Sequence, residues 1–386
     1  MMYSRPLSSS SSSLSSSNTE EYDQLVGELF TYQPPSFLMP QTQSQHTSKT
    51  PRGGMNRRDR EIGHARLFND YFSDNHVYNT TQFRRRFRMQ RPLFLRIMNK
   101  VVEDDVYFQQ RRDAAGRLGL SPLQKCTAAI RMLAYGMAAD AVDAFESVSQ
   151  PLEFPFNVFV PGSLISSEPS ICETLKLMNW PEYCIKMNCV IFPGIIGSID
   201  CMHWEWKNCP TAWKAQYAGR NKKATLILEA VAAQDLWIWH SFFGIPGSCN
   251  DLNVLFRSPV FDEVLHGRAP PVNFTVNGHE YNMAYYLADD IYPKWATFVQ
   301  GITSPQLQKD KMFADHQAAA RKDVERAFGV LQARFAIIRK LSLAYDEDIL
   351  RDIMKACIIM HNMIVEDERH NYTRAEVLRA FYEQDQ

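Results

Sequence analysis

The sequence predicts an α/β domain preceded by a small all-helical region. Three observations carry that prediction. Apolar residues recur at helical spacing between residues 83 and 136, apolar and alternating runs of strand length occupy 190–243, and helical spacing returns between residues 316 and 365. The chain has 386 residues, 45% hydrophobic and 12% aromatic, which is enough to bury one or two full cores.

Residues 1–55 are rich in Ser, Thr, Gln and Pro, include the run Ser8–Ser13, and hold few aliphatic side chains. Such a segment cannot bury enough apolar surface to offset the entropy of ordering, so a disordered tail is expected. Residues 56–150 form a basic helical region. Its densest cluster interleaves Phe83, Phe87 and Phe94 with Arg84, Arg85, Arg86, Arg88 and Arg91, and five arginines in eight positions exceed what solubility requires. Two readings stand side by side: arginines that grip nucleic-acid phosphates, and an amphipathic helix whose phenylalanines face inward while its arginines are solvated.

Ser121-Pro122 opens a helix with Ser at the cap and Pro in the first turn, and Gly136 ends it. A shorter helix over 138–148 would follow, so a helix-turn-helix is geometrically allowed. Asp140, Asp143 and Glu146 give that second helix the wrong sign for groove reading, which favours a plain αα-hairpin. Prolines at 151, 155, 161, 169, 181 and 193 break the next stretch, so 151–189 reads as an irregular connection with at most one short helix near Ile171–Met178.

From Val190 to Ile199 an apolar run reads as a buried strand ending in Asp200, followed by a second alternating stretch. Thr225–Ala232 and Leu236–Phe243, joined by Gln234-Asp235, read as a hairpin, and Asn250-Asp251 caps a short helix through Leu255. Residues 257–282 read as a polar, Pro-broken loop apart from Val272–Val276. Met283–Ala288 reads as another buried strand, ending in Asp289-Asp290. A helix over His316–Ile338 places Val324, Phe328, Leu331, Phe335 and Ile338 on one face with Glu325 at its edge, Arg321 one turn before and Gly329 one turn after. A last helix runs from Asp348 to Val365, and its His361-Asn362 pair reads as core-satisfying rather than catalytic. Residues 371–386 are expected to be a tail.

The eight cysteines show no CxxC pair and no secretory leader precedes them, so reduced thiols are expected and a zinc site is poorly supported. Glu229 and Asp235 interrupt the most apolar region, which therefore fails as a membrane span. The formal charge of −1 gives no global attraction to nucleic acid, so such binding must rest on local patches.

Three carboxylates now stand at element ends or edges: Asp200 and Asp289 after strands, Glu325 on a helix. If the strands are neighbours and the helix crosses them, the three can converge at one rim of the sheet. Hard oxygen donors suit Mg²⁺ or Mn²⁺, which support phosphodiester chemistry. Among 43 acids many triples exist, and an acid after a strand commonly caps a turn, so spacing alone does not single these out.

The wording of four ordered stretches does: Gly197-Ser198-Ile199-Asp200-Cys201-Met202-His203-Trp204-Glu205-Trp206-Lys207-Asn208-Cys209-Pro210, Gly247-Ser248-Cys249-Asn250-Asp251-Leu252-Asn253-Val254-Leu255, Tyr286-Leu287-Ala288-Asp289-Asp290-Ile291-Tyr292-Pro293, and Ala320-Arg321-Lys322-Asp323-Val324-Glu325-Arg326-Ala327-Phe328-Gly329-Val330-Leu331. They resemble the plant PIF/Harbinger transposases and their domesticated relatives over residues 60–148 and 190–370. The resemblance implies an RNase H-like mixed sheet with flanking helices over 190–370, carrying an Asp-Asp-Glu triad that binds Mg²⁺ or Mn²⁺ and cuts DNA. Position by position the triad falls on Asp200, Asp289 and Glu325. Asp290 stands where the family usually has Gly and could share the ligand role with Asp289. Asp251 lies in a family motif, with a helix cap as its first role and metal binding as its second. Residues 151–193 are Pro-rich where the family continues into another long helix, a departure that bears on recognition of transposon ends.

The expected function is a metal-dependent DNA endonuclease of transposase origin in the nucleus. Arg84, Arg85, Arg86, Arg88, Arg321 and Lys322 would approach DNA, a Myb-like protein is the partner the family implies, and homo-oligomerisation is compatible. The alternatives are a catalytically silent, domesticated nuclear scaffold and an RNA-directed nuclease sharing the same metal site.

Overall fold

In the second half of the chain a run of strands rich in β-branched and aromatic residues is followed by two long helices, and together they build a mixed sheet covered by helices. The computed structural model describes residues 57–136 apart from 113, 115 and 117, residues 192–259 apart from 220 and 221, and residues 271–383 apart from 341–343. The expected tail over 1–55, the helix over 138–148 and nearly all of the Pro-rich connection lie outside the described residues.

Four helices come first: α1 (Arg57–Tyr71), α2 (Thr80–Phe87), α3 (Arg91–Asp104) and α4 (Pro122–Tyr135). Asn79 and Ser121 each close a capping box on α2 and α4, satisfying backbone donors that a helix start leaves open. The expected end of α4 is met in detail. Gly136 adopts φ 58°, a left-handed conformation that glycine takes without steric cost, and its N–H returns to the Met132 carbonyl. Phe83, Phe87 and Phe94 are fully buried, as helical spacing predicted.

The strands are β1 (Ile195–Glu205), β2 (Thr225–Ala232), β3 (Ile238–Pro246), β4 (Pro271–Val276), β5 (His279–Met283), β6 (Tyr285–Leu287) and β7 (Phe298–Val299). Five of them form one sheet in the order β3-β2-β1-β6-β7, antiparallel across β3, β2 and β1 and parallel across β1, β6 and β7. Gly197 permits the tight β1–β2 approach, because a Cβ there would stand 2.4 Å from the Ala232 carbonyl oxygen. Short helices α5 (Lys214–Tyr217), α6 (Asp251–Leu255) and α8 (Ala336–Arg339) accompany two long ones, α7 (Gln308–Arg334) and α9 (Glu347–Glu383). Alternation along β1 and β2 sends Met202, Trp204, Leu226, Leu228 and Ala230 to one face, where they share a core with α7, α9 and helices α2–α4. The other face buries Ile199 and Val231 with Tyr286, Tyr292 and Phe298.

Four expectations change. Asp200 does not end a strand: β1 runs without a break through Glu205, because β2 pairs with it from Ser198 to Glu205 and supplies the ladder that the apolar run alone did not disclose. The loop expected over 257–282 contains the β4–β5 hairpin, turned at Asn277-Gly278 with φ 53° and 80°. The helix expected from His316 starts eight residues earlier, and the one expected to stop at Val365 continues through Glu383, into the stretch read as a tail. Both extensions are polar, so an apolar stripe could not mark them.

Candidate functional site

The site is set by how α7 lies across the sheet. Gln317, 3% exposed, donates its amide to the carbonyls of Ala288 and Val299 at 3.2 Å each, fixing the helix against the ends of β6 and β7. The Ser198 hydroxyl donates to the Ala320 carbonyl at 2.9 Å and fixes it to β1. Val324, Ala327, Phe328 and Leu331 bury the face beneath. With the register pinned, positions 317, 321 and 325 follow one another along one side at a turn's spacing. Arg321 therefore arrives beside Asp289, and Glu325 comes within the electrostatic reach of Asp200.

Asp200 projects from β1 just beyond the end of its pairing with β6, which ends at Ser198. There β1 has lost its neighbour on that side while β2 still holds the other. The carboxyl is pushed up to about 6, mainly by burial and further by the charges of Glu325 and Asp251, against the Cys201 N–H that donates to it at 2.8 Å and the charge of Arg321. Its unfolded counterpart ionises near pH 3.8, so the folded form binds more protons between those values. Ionising Asp200 thus costs stability as pH rises through that window, a cost that a nearby cation would offset.

Asp289 follows β6 by two residues. Its side chain accepts the Asp290 N–H at 2.9 Å, and its own carbonyl accepts the Tyr292 N–H at 3.1 Å, so a tight turn presents the carboxylate. One guanidinium links two acids: Arg321 Nη1 lies 3.5 Å from Asp289 Oδ2 and 3.8 Å from Glu325 Oε1. Asp289 and Glu325 thus flank Arg321, and the charges of Glu325, Asp251 and Arg321 all act on Asp200. Asp251 is the first residue of α6, while the cap itself is Asn250, whose side chain accepts the Asn253 N–H. Asp290 is exposed. Gly329, one turn beyond Glu325, has open space where a Cβ would stand.

Among the described residues, no group of three or more His, Cys, Asp or Glu side chains is placed to hold a metal ion. The donor chemistry nevertheless suits a hard divalent cation: all three are carboxylates, one with its pKa raised by burial and like charge, two half-exposed.

The arginines of α2 are occupied by packing. Arg84 pairs with Glu368 of α9. Arg86 bonds the Tyr71 hydroxyl and stacks 3.8 Å over Tyr78. Arg88 caps α2 in a left-handed conformation at φ 64°, lies over Tyr135, and has its pKa lowered by burial. Arg85 and Lys322 are exposed. His361 is fully buried. Arg334 can only donate and a carbonyl can only accept, so its Nδ1 takes the Arg334 contact at 3.2 Å and its Nε2–H donates to Leu236 at 2.8 Å.

Sequence reasoning missed a second polar group, on the opposite face of the sheet. Glu229 on β2 is fully buried, neither carboxylate oxygen has a hydrogen bond, and His240 Nε2 stands 3.5 Å away, itself 3.1 Å from the Ser258 hydroxyl. A lone acid within an apolar strand was its one signal. Cys126, Cys201, Cys209, Cys249 and Cys357 are free thiols, and no helix among the described residues is long and apolar enough to cross a membrane.

No curated protein and no solved structure significantly matches the chain. Residues 63–102, which span α2 and most of α3, match a domain of unknown function. A second family, described as plant transposon protein, matches residues 182–372, a span that holds the whole five-stranded sheet, α7 and all three acids. Residues 182–372 of this chain are thus related to the plant transposon proteins.

Proposed function

We propose that the protein is a metal-dependent DNA endonuclease of PIF/Harbinger transposase origin, with an RNase H-like core in which Asp200, Asp289 and Glu325 hold Mg²⁺ or Mn²⁺. The observation that carries this reading is the pairing of Asp289 and Glu325 with one guanidinium, within electrostatic reach of Asp200, on a helix registered against the parallel strands β1, β6 and β7. It occurs within the span related to plant transposon proteins. When bound, the metal would supply Lewis-acid activation of water and stabilisation of the leaving oxygen. The chain's own part is to orient the scissile phosphodiester. Asp200, with β1 open on one side, faces the approaching strand; Lys322 is an exposed cation able to meet phosphates; Arg84, Arg86 and Arg88 now engage Glu368, Tyr71 and Tyr135 and would turn from those partners towards DNA. Action in the nucleus, with a Myb-like partner delivering the DNA, completes the proposal. Asp289 is the second ligand in preference to Asp290, because Asp289 is the one that meets Arg321.

One observation favours a second reading, a domesticated scaffold that binds DNA or chromatin without cutting: Arg321 already neutralises two of the three acids. Supercoiled plasmid, Mg²⁺ or Mn²⁺ and the full chain, with and without a candidate Myb-like partner, separate the two. The nuclease reading expects nicking that chelator abolishes and that Asp200→Asn and Glu325→Gln each reduce by at least about a hundredfold. Nicking unchanged in both variants rejects the triad, and a folded wild type that binds DNA but never nicks it establishes the scaffold.

A further inference from the structure

We propose that Arg321 is a resident counter-cation of the acid cluster, so that a divalent ion and the guanidinium compete for Asp289 and Glu325, and loading requires Arg321 to swing away. This rests on reading the three acids as metal ligands, and adds to it a control over when they act.

The argument begins with position. Arg321 Nη1 is 3.5 Å from Asp289 Oδ2 and 3.8 Å from Glu325 Oε1, and its charge also reaches Asp200. No other cation is ion-paired to these acids among the described residues. The arginine side chain is 23% exposed, against 55% for Asp289 and 47% for Glu325, so the cation is more deeply placed than the anions it serves. An ordinary surface ion pair has the opposite look, with a long cationic side chain reaching outward over its partner. The helix cannot shift to relieve a clash, since Gln317 and Ser198 tie it to three strands. An ion bridging Asp289 and Glu325 would therefore meet a fixed positive charge within a few ångströms, and only a change of Arg321 rotamer removes it.

The contrast with Lys322 makes the idea specific. Lys322 is the neighbouring cation, exposed and outside the cluster. Its removal lowers the net charge by the same amount without vacating anything.

Mn²⁺ binding to the full chain, followed by the electron paramagnetic resonance signal of free Mn²⁺, tests this without reference to cleavage. Arg321→Gln is expected to bind Mn²⁺ at least about tenfold more tightly than wild type, and Lys322→Gln to stay within about twofold, as screening predicts for an exposed charge. Arg321→Gln should also melt lower than wild type without metal and recover more on adding Mn²⁺. Arg321→Lys, which keeps the charge and the fold, should fall between wild type and Arg321→Gln. If both Arg321 variants bind as wild type does while Glu325→Gln weakens binding, Arg321 is no competitor, although the acids are ligands. If Mn²⁺ binding is absent, or indifferent to Asp200→Asn and Glu325→Gln, the ligand reading fails and this proposal with it. Equal tightening by Lys322→Gln also overturns it, since general electrostatics then suffices.

Discussion

Single side chains divide here into those that carry charge for use and those that are neutral by construction. His361 belongs to the second kind. Burial lowers its pKa to about 3, reinforced by the charge of Arg334, and the Leu236 carbonyl opposes the shift only in part. In the unfolded chain an imidazole titrates near pH 6.5, so below that value the unfolded state takes up a proton that the folded state refuses. The contribution of neutral His361 is thus fully present above pH 6.5 and is lost as pH falls towards 3. Replacing it with Gln, which can still pair with Leu236 and Arg334, should flatten that dependence. Thermal melts from pH 4 to pH 8 would show wild type losing its margin over His361→Gln on acidification, by a few degrees or more. A margin independent of pH would mean that the ring is charged or exposed in the folded protein. Its neighbour Asn362 works alongside, exchanging two 2.8–2.9 Å hydrogen bonds with the Ile238 backbone at the start of β3. These two residues bind α9 to the sheet, which is why a conspicuous His-Asn pair in the sequence belongs to the core and not to the chemistry.

At the scale of elements, α7 converts the sheet into a site, and Gln317 is its pin. Gln317→Ala removes two hydrogen bonds and leaves the Ala288 and Val299 carbonyls to find other partners, a loss of about 1–3 kcal/mol. The sharper expectation concerns register: Mn²⁺ affinity should fall in Gln317→Ala although the residue contacts none of the acids, while Gln306→Ala, before the helix and exposed, should leave affinity unchanged. Equal affinity in both would show that α7 keeps its place by its apolar face alone.

This element also marks what could be seen in advance. The face of α7 was legible because Val324, Phe328 and Leu331 obey a 3.6-residue period, and Glu325 at its edge followed from the same count. The hairpin β2–β3 and the caps at Ser121 and Asn250 were legible because turn and cap chemistry is local. Asp200 was found but misplaced, since the extent of β1 depends on a partner strand some thirty residues away. Val272–Val276 stood out within the loop, but its pairing with β5 went unseen although Asn277-Gly278 is a strong local turn signal, because β5 is exposed throughout and carries no apolar alternation. The position of Arg321 between two acids was invisible altogether: spacing put it one turn from Glu325, but only the β6 turn decides where Asp289 stands.

For the molecule as a whole the question is whether helices α1–α4 melt with the sheet or apart from it. Their buried side chains belong to the same cluster as Met202, Trp204, Phe328 and Met354. Polar ties reinforce the junction. Lys340 donates to the Tyr135 and Gly136 carbonyls at the end of α4, at 2.6 and 3.2 Å, and the Trp204 indole donates to the Lys340 carbonyl at 3.0 Å. Glu368 on α9 joins two further helices: it is 8% exposed in its side chain and takes Arg84 from α2 and Arg334 from α7, the latter at 2.9 Å. Removing one member of a buried, hydrogen-bonded charge group leaves the others uncompensated, so Glu368→Gln should destabilise by about 2–4 kcal/mol, whereas Glu368→Leu, which takes the acceptor from both arginines, should cost more. If the helices and the sheet are one cooperative unit, calorimetry of wild type gives a single transition over the described core, and Glu368→Gln moves that whole transition down. A wild-type trace with two transitions, only the lower of which responds to the variant, would instead mean that the helical region unfolds independently. The outcome bears directly on DNA binding: if a phosphate draws Arg84 away from Glu368, a cooperative junction makes DNA engagement by α2 weaken the tie to α9. Wild type should then lose thermal stability on adding short duplex DNA at low salt, or gain less than Arg84→Gln does, and a larger gain in wild type would show that DNA reaches the protein by another face.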